Sequence, residues 1–305
     1  MAKFRLGLVG AGRMGQMHLR ALSKSEKVEV VSVVEPLAAT ASKLKSMGLE
    51  TYDSYGQMFN KIKFDGVLIA APTDKHLEVI TEIAQSKVPI LSEKPCGLNP
   101  SQAIKAGKIA DENGVRLQVA YWRRFVLELR ALEKKIKSGE AGQVHFINAT
   151  QWDEIPPRKE SRLASGGIFI DMAVHEIDQI RWLTKQEVKK SKTLIFPQDE
   201  DSIGDTDSTE SILEMSGGAI GLVSLGRFHP GGDLVSTEVF TNKLHERVIV
   251  LNPESGEEPQ LAALRLQAES FADWVYGGPQ EGATTADAVV ALEVASQLKT
   301  NAGLK

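Results

Sequence analysis

The first 120 residues of the chain alternate between short apolar runs and longer segments with helical spacing. Continuous apolar runs are typical of strands that helices cover on both faces. The runs lie at Arg5–Val9, Val28–Val34, Gly66–Ala71, Pro89–Leu91 and Arg116–Ala120, and helical spacing appears at Met14–Leu22, His76–Gln85 and Ser101–Glu112. This alternation predicts an α/β fold that begins with a doubly wound parallel sheet. Its ligand crevice should lie at the carboxyl ends of the strands.

Beyond Tyr121 the strand-like segments follow one another without helices between them. They lie at Val144–Thr150, Thr209–Met215, Ala219–Phe228, Thr237–Phe240 and Arg247–Leu251, and helices are predicted at Phe125–Ser138, Ile168–Leu183, Leu261–Tyr276 and Thr284–Leu298. We therefore expect a second α/β domain with a large, open, mostly antiparallel sheet. A chain of 305 residues corresponds to about two domains, and we predict them over residues 1–121 and 122–305.

Composition narrows the class of protein. Hydrophobic residues make up 42% and charged residues 25% of the chain, which is typical of a globular protein. The formal net charge is −4, so the basic surface of a nucleic-acid binder is not expected. A single cysteine, Cys96, excludes an intramolecular disulfide, and no apolar run approaches the length of a membrane span. We expect a cytoplasmic protein with neither nucleic acid nor membrane as a partner.

A glycine motif follows the first predicted strand. Residues 10–15 read Gly-Ala-Gly-Arg-Met-Gly and open the first predicted helix, which is where a dinucleotide pyrophosphate meets free backbone N–H groups. Gly10 would make the tight turn, Gly12 would let the backbone approach the phosphates, and Gly15 would let the helix pack on the sheet. Arg13 and Met14 lie between them and are predicted to contact the cofactor. The alternative is a glycine turn that binds no ligand.

An acidic residue ends the second predicted strand. Glu35 lies 20 residues after Gly15, the spacing at which a carboxylate binds the adenosine ribose. A carboxylate repels a 2′-phosphate, and the next residue is Pro36, which has no charge to bind one. The sequence therefore favours NAD over NADP. The alternative is a solvated glutamate at a strand end.

Three further motifs carry a resemblance to a known family. Ser92-Glu93-Lys94-Pro95 follows a predicted strand, Ala71-Pro72-Thr73-x-x-His76 follows another, and residues 166–178 contain Asp171-x-x-x-His175. Together with the glycine motif, they closely resemble the Gfo/Idh/MocA oxidoreductase family, which includes glucose–fructose oxidoreductase, inositol 2-dehydrogenase and the rhizopine-catabolism proteins. The resemblance covers nearly the whole chain. It implies an N-terminal Rossmann domain and a C-terminal α/β domain.

The resemblance also implies roles for individual residues. Lys94, Asp171 and His175 would be catalytic and would contact the substrate. Pro72, Thr73, His76, Glu93 and Lys94 would add to the cofactor site, and Arg124 would contact the substrate. For His76 the alternative is a residue that merely begins a helix, and for Arg124 it is a salt bridge between domains.

Physical chemistry supports the catalytic set. Asp171 and His175 are four residues apart on a predicted helix, so the carboxylate can orient the imidazole. Imidazole has an ordinary pKa of about 6.5 and suits removal of a hydroxyl proton near neutral pH. Lys94 would stabilise the developing alkoxide. The alternatives are a solvated loop lysine, a histidine of the core or helix surface, and a simple polar aspartate.

The implied reaction is oxidation of a secondary hydroxyl of a cyclic polyol or sugar, with NAD as the hydride acceptor. Trp152 would stack on a sugar face, or else pack the sheet or a subunit interface. Around Gly226–Pro230 the chain lacks the tyrosines of many inositol dehydrogenases of the family, so inositol itself is not implied. Two other functions stay open: a sugar enzyme that cycles a tightly held NAD, and a non-catalytic regulator that binds dinucleotide.

Metal binding and assembly complete the expectations. Asp171, His175 and Asp178 share one helical stripe, but no accompanying metal motif is present, and no metal site is predicted. The segment from Asp199 to Glu210 approaches a calcium-loop pattern, yet Ile203 replaces an oxygen ligand, and we interpret it as a solvated loop. The resemblance implies a homodimer or homotetramer formed through the open sheet.

Overall fold

The computed structural model describes residues 2–196 and 204–304. The described chain divides into two compact units. The first contains the chain up to Tyr121 together with Leu264–Ala288, and the second contains Trp122–Ala263 together with the chain from Val289. The division predicted from the sequence followed chain order and placed residues 264–288 in the second domain. The structure instead packs Ala268, Phe271 and Ala272 into the core of the first unit.

The first unit is built on a six-stranded parallel sheet. Its strand order is β3-β2-β1-β4-β5-β6, which confirms the doubly wound sheet. The order reverses between β1 and β4, so the ligand crevice of such a sheet lies beside the carboxyl ends of these two strands. The strands are β1 Phe4–Val9, β2 Val28–Val34, β3 Thr51–Tyr52, β4 Gly66–Ile69, β5 Ile90–Glu93 and β6 Leu117–Ala120.

Helices cover both faces of this sheet because its central strands are apolar on both sides. Every residue of β4, β5 and β6 is buried. The helices are α1 Arg13–Leu22, α2 Ala38–Ser46, α3 Tyr55–Lys61, α4 His76–Gln85 and α5 Pro100–Glu112. A later helix, α9 (Glu258–Val275), adds Phe271, whose ring meets Phe4 edge to face with the ring centroids 6.0 Å apart.

The second unit contains a mostly antiparallel sheet of six strands in the order β12-β11-β7-β10-β9-β8. Only β7 and β10 run parallel among its pairs in the described chain. The prediction of an open, mostly antiparallel sheet is confirmed. The strands are β7 Val144–Trp152, β8 Val188–Ile195, β9 Ser208–Met215, β10 Ile220–Gly226, β11 Leu234–Thr241 and β12 His245–Leu251. The remaining helices are α6 Leu127–Lys137, α7 Lys159–Ser165, α8 Val174–Thr184, α9 Glu258–Val275 and α10 Thr285–Asn301.

One face of the second sheet is buried and the other is exposed. Residues of β9 alternate strictly between buried and exposed positions, as expected of a strand with one covered face. On the covered face, the Ile180 side chain of α8 lies near Gly221 of β10. On the opposite face, Ile212, Ile220 and Ile249 are 56%, 50% and 51% exposed. We call this the open face.

The long helix predicted over Ile168–Leu183 is divided in the structure. Phe169–Ala173 form a π-helical segment, and α8 follows from Val174. A π-helix has hydrogen bonds from residue i to i+5, and the hydrophobic spacing does not distinguish it from an α-helix. The structure therefore differs from the prediction in backbone geometry at Asp171.

Asp205 holds the start of this region. Its Oδ1 atom accepts the Ile168 N–H at 2.8 Å, and its Oδ2 atom accepts from Arg162 at 2.8 Å and from Arg227 at 3.0 Å. Burial raises the pKa of the Asp205 carboxyl, but Arg227, the Ile168 N–H and Arg162 outweigh this effect and lower the pKa below 3.8. One buried carboxylate thus ties α7 and the end of β10 to the π-helical segment.

No helix within residues 2–196 and 204–304 is long and apolar enough to cross a membrane.

We predict that Asp205→Asn destabilises the fold in a pH-dependent way. A carboxyl with a lowered folded pKa adds stability above its unfolded pKa, and this stability is lost as the pH falls through the folded pKa. The variant should lose roughly 3 kcal/mol of unfolding free energy at pH 7, because the buried Arg227 and the partly buried Arg162 lose the buried one of their two carboxylate partners. Below about pH 3 the difference from the wild type should narrow. Urea unfolding at both pH values measures it.

The matched control is Asp207→Asn. Asp207 pairs with the same two arginines, but its side chain is 40% exposed. Exposed pairs contribute about 0 to 1 kcal/mol, so this variant should unfold nearly as the wild type does. Equal unfolding free energies for Asp205→Asn and the wild type at pH 7 would contradict the role given to Asp205.

Candidate functional site

The glycine loop between β1 and α1 is shaped by backbone contact. Gly10 has a φ of +91°, a conformation that glycine adopts readily, and a Cβ there would lie 2.7 Å from the Ala70 carbonyl oxygen. A Cβ on Gly15 would lie 2.2 Å from the Gly10 carbonyl oxygen. These two positions therefore admit only glycine. The tight turn and the close packing of the helix are placed as the sequence predicts.

Gly12 is different because the space beside it is open. A Cβ at this position would meet no heavy atom within 4 Å. Gly12 also precedes the first turn of α1, where no side chain caps the backbone N–H groups. Arg13 is exposed and Met14 is half-buried in that first turn. A helix N-terminus with uncapped amides and room above its glycine fits the pyrophosphate of a dinucleotide.

Glu35 ends β2 beside this loop. Its carboxylate accepts the Ala11 N–H at 3.0 Å and the Leu37 N–H at 2.8 Å, and the residue is only 4% exposed. The glutamate is therefore not the solvated strand-end residue of the alternative interpretation. It places a negative charge against the glycine loop and fixes the path of the chain after β2. Its contact with a ribose stays a prediction.

The turn after β5 carries Lys94. Glu93 is buried, accepts from the Lys94 N–H at 3.2 Å and contacts His18 of α1 at 2.7 Å. Lys94 itself is half-buried. Cys96 follows, and burial raises the pKa of its thiol to about 12, so the thiol stays protonated at neutral pH. The turn therefore presents an ammonium group and no reactive thiolate.

His76 lies between this turn and the one after β4. Its Nδ1 atom is 2.8 Å from the Pro95 carbonyl oxygen, and its Nε2 atom is 2.9 Å from that of Ala71. Pro72 is exposed and Thr73 is half-buried at the crevice end of β4. Both ring nitrogens of His76 therefore contact backbone carbonyl oxygens of the protein. The predicted cofactor contacts of Pro72, Thr73, His76 and Glu93 stay predictions.

In the second unit, Asp171 and His175 lie across the junction of the π-helical segment and α8. Asp171 is half-buried, and His175 is 7% exposed. The imidazole meets the Trp122 ring edge to face, with the ring centroids 6.4 Å apart. A carboxylate and an imidazole four residues apart are thus held at the beginning of one helix.

A buried polar network supports α8 directly after His175. Arg123 donates to Glu176 and, at 3.2 Å, to Gln179, while its other Nη donates to Gln151 at 2.6 Å. Burial raises the pKa of the Glu176 carboxyl, and Arg123 opposes this shift. Gln179 also donates to Thr237 of β11. The network fixes the rotation of α8 against β7 and β11.

Arg124, which is predicted to contact the substrate, forms an ion pair with Asp178 of α8. Its guanidinium donates through two nitrogens to the Asp178 carboxylate, at 2.9 and 2.6 Å, and it is 9% exposed. Both residues belong to the second unit, so this pair is not the interdomain salt bridge of the alternative interpretation. A bidentate arginine–carboxylate pair is among the stronger polar contacts in proteins.

Trp152 lies on the open face of the sheet. Its neighbour Gln151 points towards Arg123 and α8, and successive strand residues point to opposite faces. The Trp152 indole N–H donates to Ser224 at 3.0 Å, and Ser224 donates to Glu210 at 2.7 Å. The structure therefore does not bring Trp152 together with Asp171 and His175.

Sequence reasoning missed four polar residues that support the predicted site: His18, Arg123, Glu176 and Gln179. Each occupies a position that the local pattern marks as helix or turn, with nothing to show that its polar atoms are buried. A partial signal was present for His18, which shares the inner face of α1 with Gly15 and Leu22. For the others the partners come from distant segments.

Metal ligands are not grouped in the described ranges 2–196 and 204–304: no three His, Cys, Asp or Glu side chains there are placed to hold a metal ion. Asp178, the third member of the stripe considered from the sequence, is paired with Arg124. Residues 199–203 of the calcium-like segment lie outside the described residues.

Comparison with known proteins agrees with this arrangement. Residues 4–121 match the model of an oxidoreductase family with an NAD-binding Rossmann fold, and residues 129–244 match the GFO/IDH/MocA C-terminal domain. The chain is 44% identical to "Rhizopine catabolism protein MocA" of Rhizobium meliloti, over 97% of this chain and 94% of that protein. It is 31% identical to "Inositol 2-dehydrogenase" of Rhizobium meliloti (strain 1021), over 73% and 68% of the two chains.

Among solved structures, a putative myo-inositol dehydrogenase from Sinorhizobium meliloti 1021 superposes with a TM-score of 0.91 at 26% identity, over 99% of this chain and 98% of that one. The two family models together match most of the chain, and the doubly wound sheet of the first unit agrees with the Rossmann fold that the family description names. The chain therefore belongs to the GFO/IDH/MocA family and is an oxidoreductase acting on CH–OH donors.

Proposed function

We propose that the protein is an NAD-dependent dehydrogenase that oxidises a secondary hydroxyl of a cyclic polyol or sugar to a ketone or lactone. Relatives named for inositol dehydrogenation and rhizopine catabolism support the substrate class. The observation that carries the proposal is the placement of Asp171 and His175, four residues apart across the start of α8, a helix that Arg123 fixes through Glu176 and Gln179. Such a pair supplies a general base that is oriented by its neighbour.

Each of the three proposed catalytic residues has a separate role in the reaction. His175 takes the proton of the reacting hydroxyl, and Asp171 orients the ring and stabilises the imidazolium that results. Lys94 places its ammonium at the substrate oxygen, where negative charge develops as hydride leaves the same carbon. NAD, when bound, supplies the hydride acceptor. The product carbonyl forms when two bonds have broken: the O–H bond of the hydroxyl, and the C–H bond of the carbon that bears it.

The cofactor is held by the glycine loop and by Glu35. The uncapped N–H groups of α1 would hold the pyrophosphate, and the open space at Gly12 would let the phosphates approach the backbone. The Glu35 carboxylate at the end of β2 repels a 2′-phosphate and accepts from a ribose hydroxyl. We infer that NAD is preferred over NADP.

The first prediction from this proposal concerns His175. Purified protein with NAD and a panel of inositols, aldoses, sugar acids and a rhizopine should show reduction of NAD with at least one polyol, followed by absorbance. His175→Asn should lower kcat for that substrate by about 10²- to 10⁴-fold, because the base is lost. The NAD dissociation constant, measured by calorimetry, should be unchanged because the glycine loop is intact.

The matched control is His145→Asn. His145 is exposed on β7, and its replacement should leave kcat at the wild-type value. Wild-type turnover by His175→Asn would refute the role of His175. If NAD binds but no substrate in the panel is oxidised, a sugar enzyme that cycles a bound cofactor or a dinucleotide-binding regulator becomes the better description.

The second prediction concerns Glu35. Glu35→Gln keeps the size of the side chain and removes its charge, so the ratio of kcat/KM for NAD to kcat/KM for NADP should fall about tenfold. Glu29→Gln is the control, because Glu29 is exposed on the same strand. A wild-type protein that prefers NADP would overturn the cofactor assignment.

The open face of the second sheet supports assembly of the protein with copies of itself, as a homodimer or homotetramer. Exposed isoleucines lie there beside Phe240, which is 38% exposed. Charges of both signs also lie on it: Lys190 on β8 pairs with Glu214 on β9, and Lys192 lies opposite Ile212. An apolar face with charges of both signs suits a symmetric contact.

We therefore expect Ile212→Lys to dissociate the oligomer. Light scattering after gel filtration should give a multiple of the monomer mass for the wild type and the monomer mass for the variant. Leu127→Lys, at an equally exposed apolar position on α6, is the control and should keep the wild-type mass. A monomeric wild type, or an oligomeric Ile212→Lys protein, would exclude assembly through this face.

A further inference from the structure

Buried histidines hold the residues on both sides of Lys94. His18 comes from α1 and is fully buried, and His76 is the first residue of α4 and is 1% exposed. One contacts Glu93 and the other contacts Pro95, which are the residues immediately before and after Lys94.

The contact with Glu93 makes a chain of three groups. His18 Nε2 lies 2.7 Å from Glu93 Oε1, and Glu93 Oε2 accepts the Lys94 N–H at 3.2 Å. The carboxylate therefore joins the side chain of α1 to the backbone of Lys94. Because both groups are buried, salt and water compete little with this contact.

The contact with Pro95 fixes the other side of the turn. His76 is within hydrogen-bond distance of the Pro95 and Ala71 carbonyl oxygens, so its ring bridges the turn after β5 and the turn after β4. Burial lowers the pKa of the His76 ring, so it is neutral at neutral pH and carries one N–H to donate. This single N–H donates to one of the two carbonyl oxygens, and the other oxygen lies against the second ring nitrogen.

Three polar side chains are buried around this turn: His18, His76 and Glu93. Their desolvation costs free energy, and a turn can form without it. Apolar residues would cover the same strand ends without desolvating two imidazoles and a carboxylate. Hydrogen bonds are directional, whereas apolar contacts tolerate rotation. The arrangement therefore gives the turn a defined orientation beyond simple burial.

We propose that His18 and His76 are positioning residues for Lys94. By holding the Glu93 carboxylate and the Pro95 carbonyl, they fix the backbone from which the Lys94 side chain departs, and so the direction of its ammonium. This proposal rests on the role of Lys94 in the proposed function. His18 and His76 do not themselves touch the substrate or the cofactor in it.

The kinetic test begins with His18→Leu, which keeps an apolar side chain and removes the bond to Glu93. Misplacement of a catalytic group by about 1 Å costs up to about 100-fold in rate, so we expect kcat to fall about 10- to 100-fold with little change in KM for NAD. His18→Gln places an amide nitrogen near the position of Nε2 and should restore most of kcat. His76→Leu should lower kcat in the same way.

A double-mutant cycle separates positioning from simple destabilisation. If His18 acts through Lys94, His18→Leu added to Lys94→Ala should cause no further loss of kcat beyond that of Lys94→Ala. Losses that multiply would overturn the proposal. The control is Ser25→Ala, which removes buried bonds to Glu269 and to the Val28 N–H in the same unit and should leave kcat unchanged.

A measurement on Lys94 itself does not depend on turnover. Reductive ¹³C-methylation labels the lysines of the full chain, and the Lys94 signal is identified as the one absent from Lys94→Arg. Its chemical shift should move in His18→Leu and His76→Leu but not in Ser25→Ala. A Lys94 signal identical to that of the wild type in both histidine variants would refute the proposal.

The outcomes distinguish this proposal from the one on which it rests. Full turnover by Lys94→Ala would refute the catalytic role of Lys94, and the labelling experiment would still decide whether the histidines orient its side chain. An inactive Lys94→Ala protein together with a fully active His18→Leu protein would refute the positioning role alone.

Discussion

The packing of the first unit depends on one close contact between two backbone segments. Gly15 of α1 packs against the carbonyl of Gly10, at a distance that leaves no room for a side chain. This contact sets the position of α1 on the sheet. Three features of the first unit follow from that position. The uncapped helix N-terminus faces the crevice, the Ala11 N–H meets Glu35, and His18 on the next turn of the helix reaches Glu93. The cofactor loop and the Lys94 turn are thus placed by the same helix.

The second unit relies on buried charge around α8. Arg123 with Glu176, Arg124 with Asp178, and Asp205 with Arg227 are all nearly inaccessible to solvent. Such pairs add little net stability over apolar packing, because desolvation offsets their attraction. Their value lies in direction, since each fixes one side of the helix that carries Asp171 and His175. An apolar α8 would pack as tightly but would be free to rotate.

The sequence predicted the fold where a pattern repeats and missed it where the pattern is short or indirect. The strands of the first sheet and the glycine loop follow from continuous apolar runs and from spacing, and the structure confirms them. β3 has two residues and gave no period to detect. The π-helical segment was missed because backbone hydrogen-bond register leaves no mark on the hydrophobic period. Residues 264–288 were assigned by chain order, although an amphipathic helix does not reveal which sheet it covers.

The candidate site shows the same limit. Lys94, Asp171 and His175 are recognisable from motifs, but the partners of Arg124 and Glu93 are not. Asp178 and His18 lie 54 and 75 residues away along the chain, and only the folded structure brings them near. The sequence shows that a charged or hydrogen-bonding side chain needs a partner if it is buried. It does not show which residue that partner is.

The division of the chain has a consequence for its synthesis. Each unit takes in a segment from the C-terminal region, Leu264–Ala288 in the first and the chain from Val289 in the second. A ribosome that has finished the parallel sheet at residue 120 has therefore not yet made the helix that covers part of its core. Neither unit can complete its packing during translation until its segment beyond Ala263 emerges. Until then, the apolar surface around Phe4 that Phe271 later covers stays exposed, and exposed apolar surface favours non-native contacts.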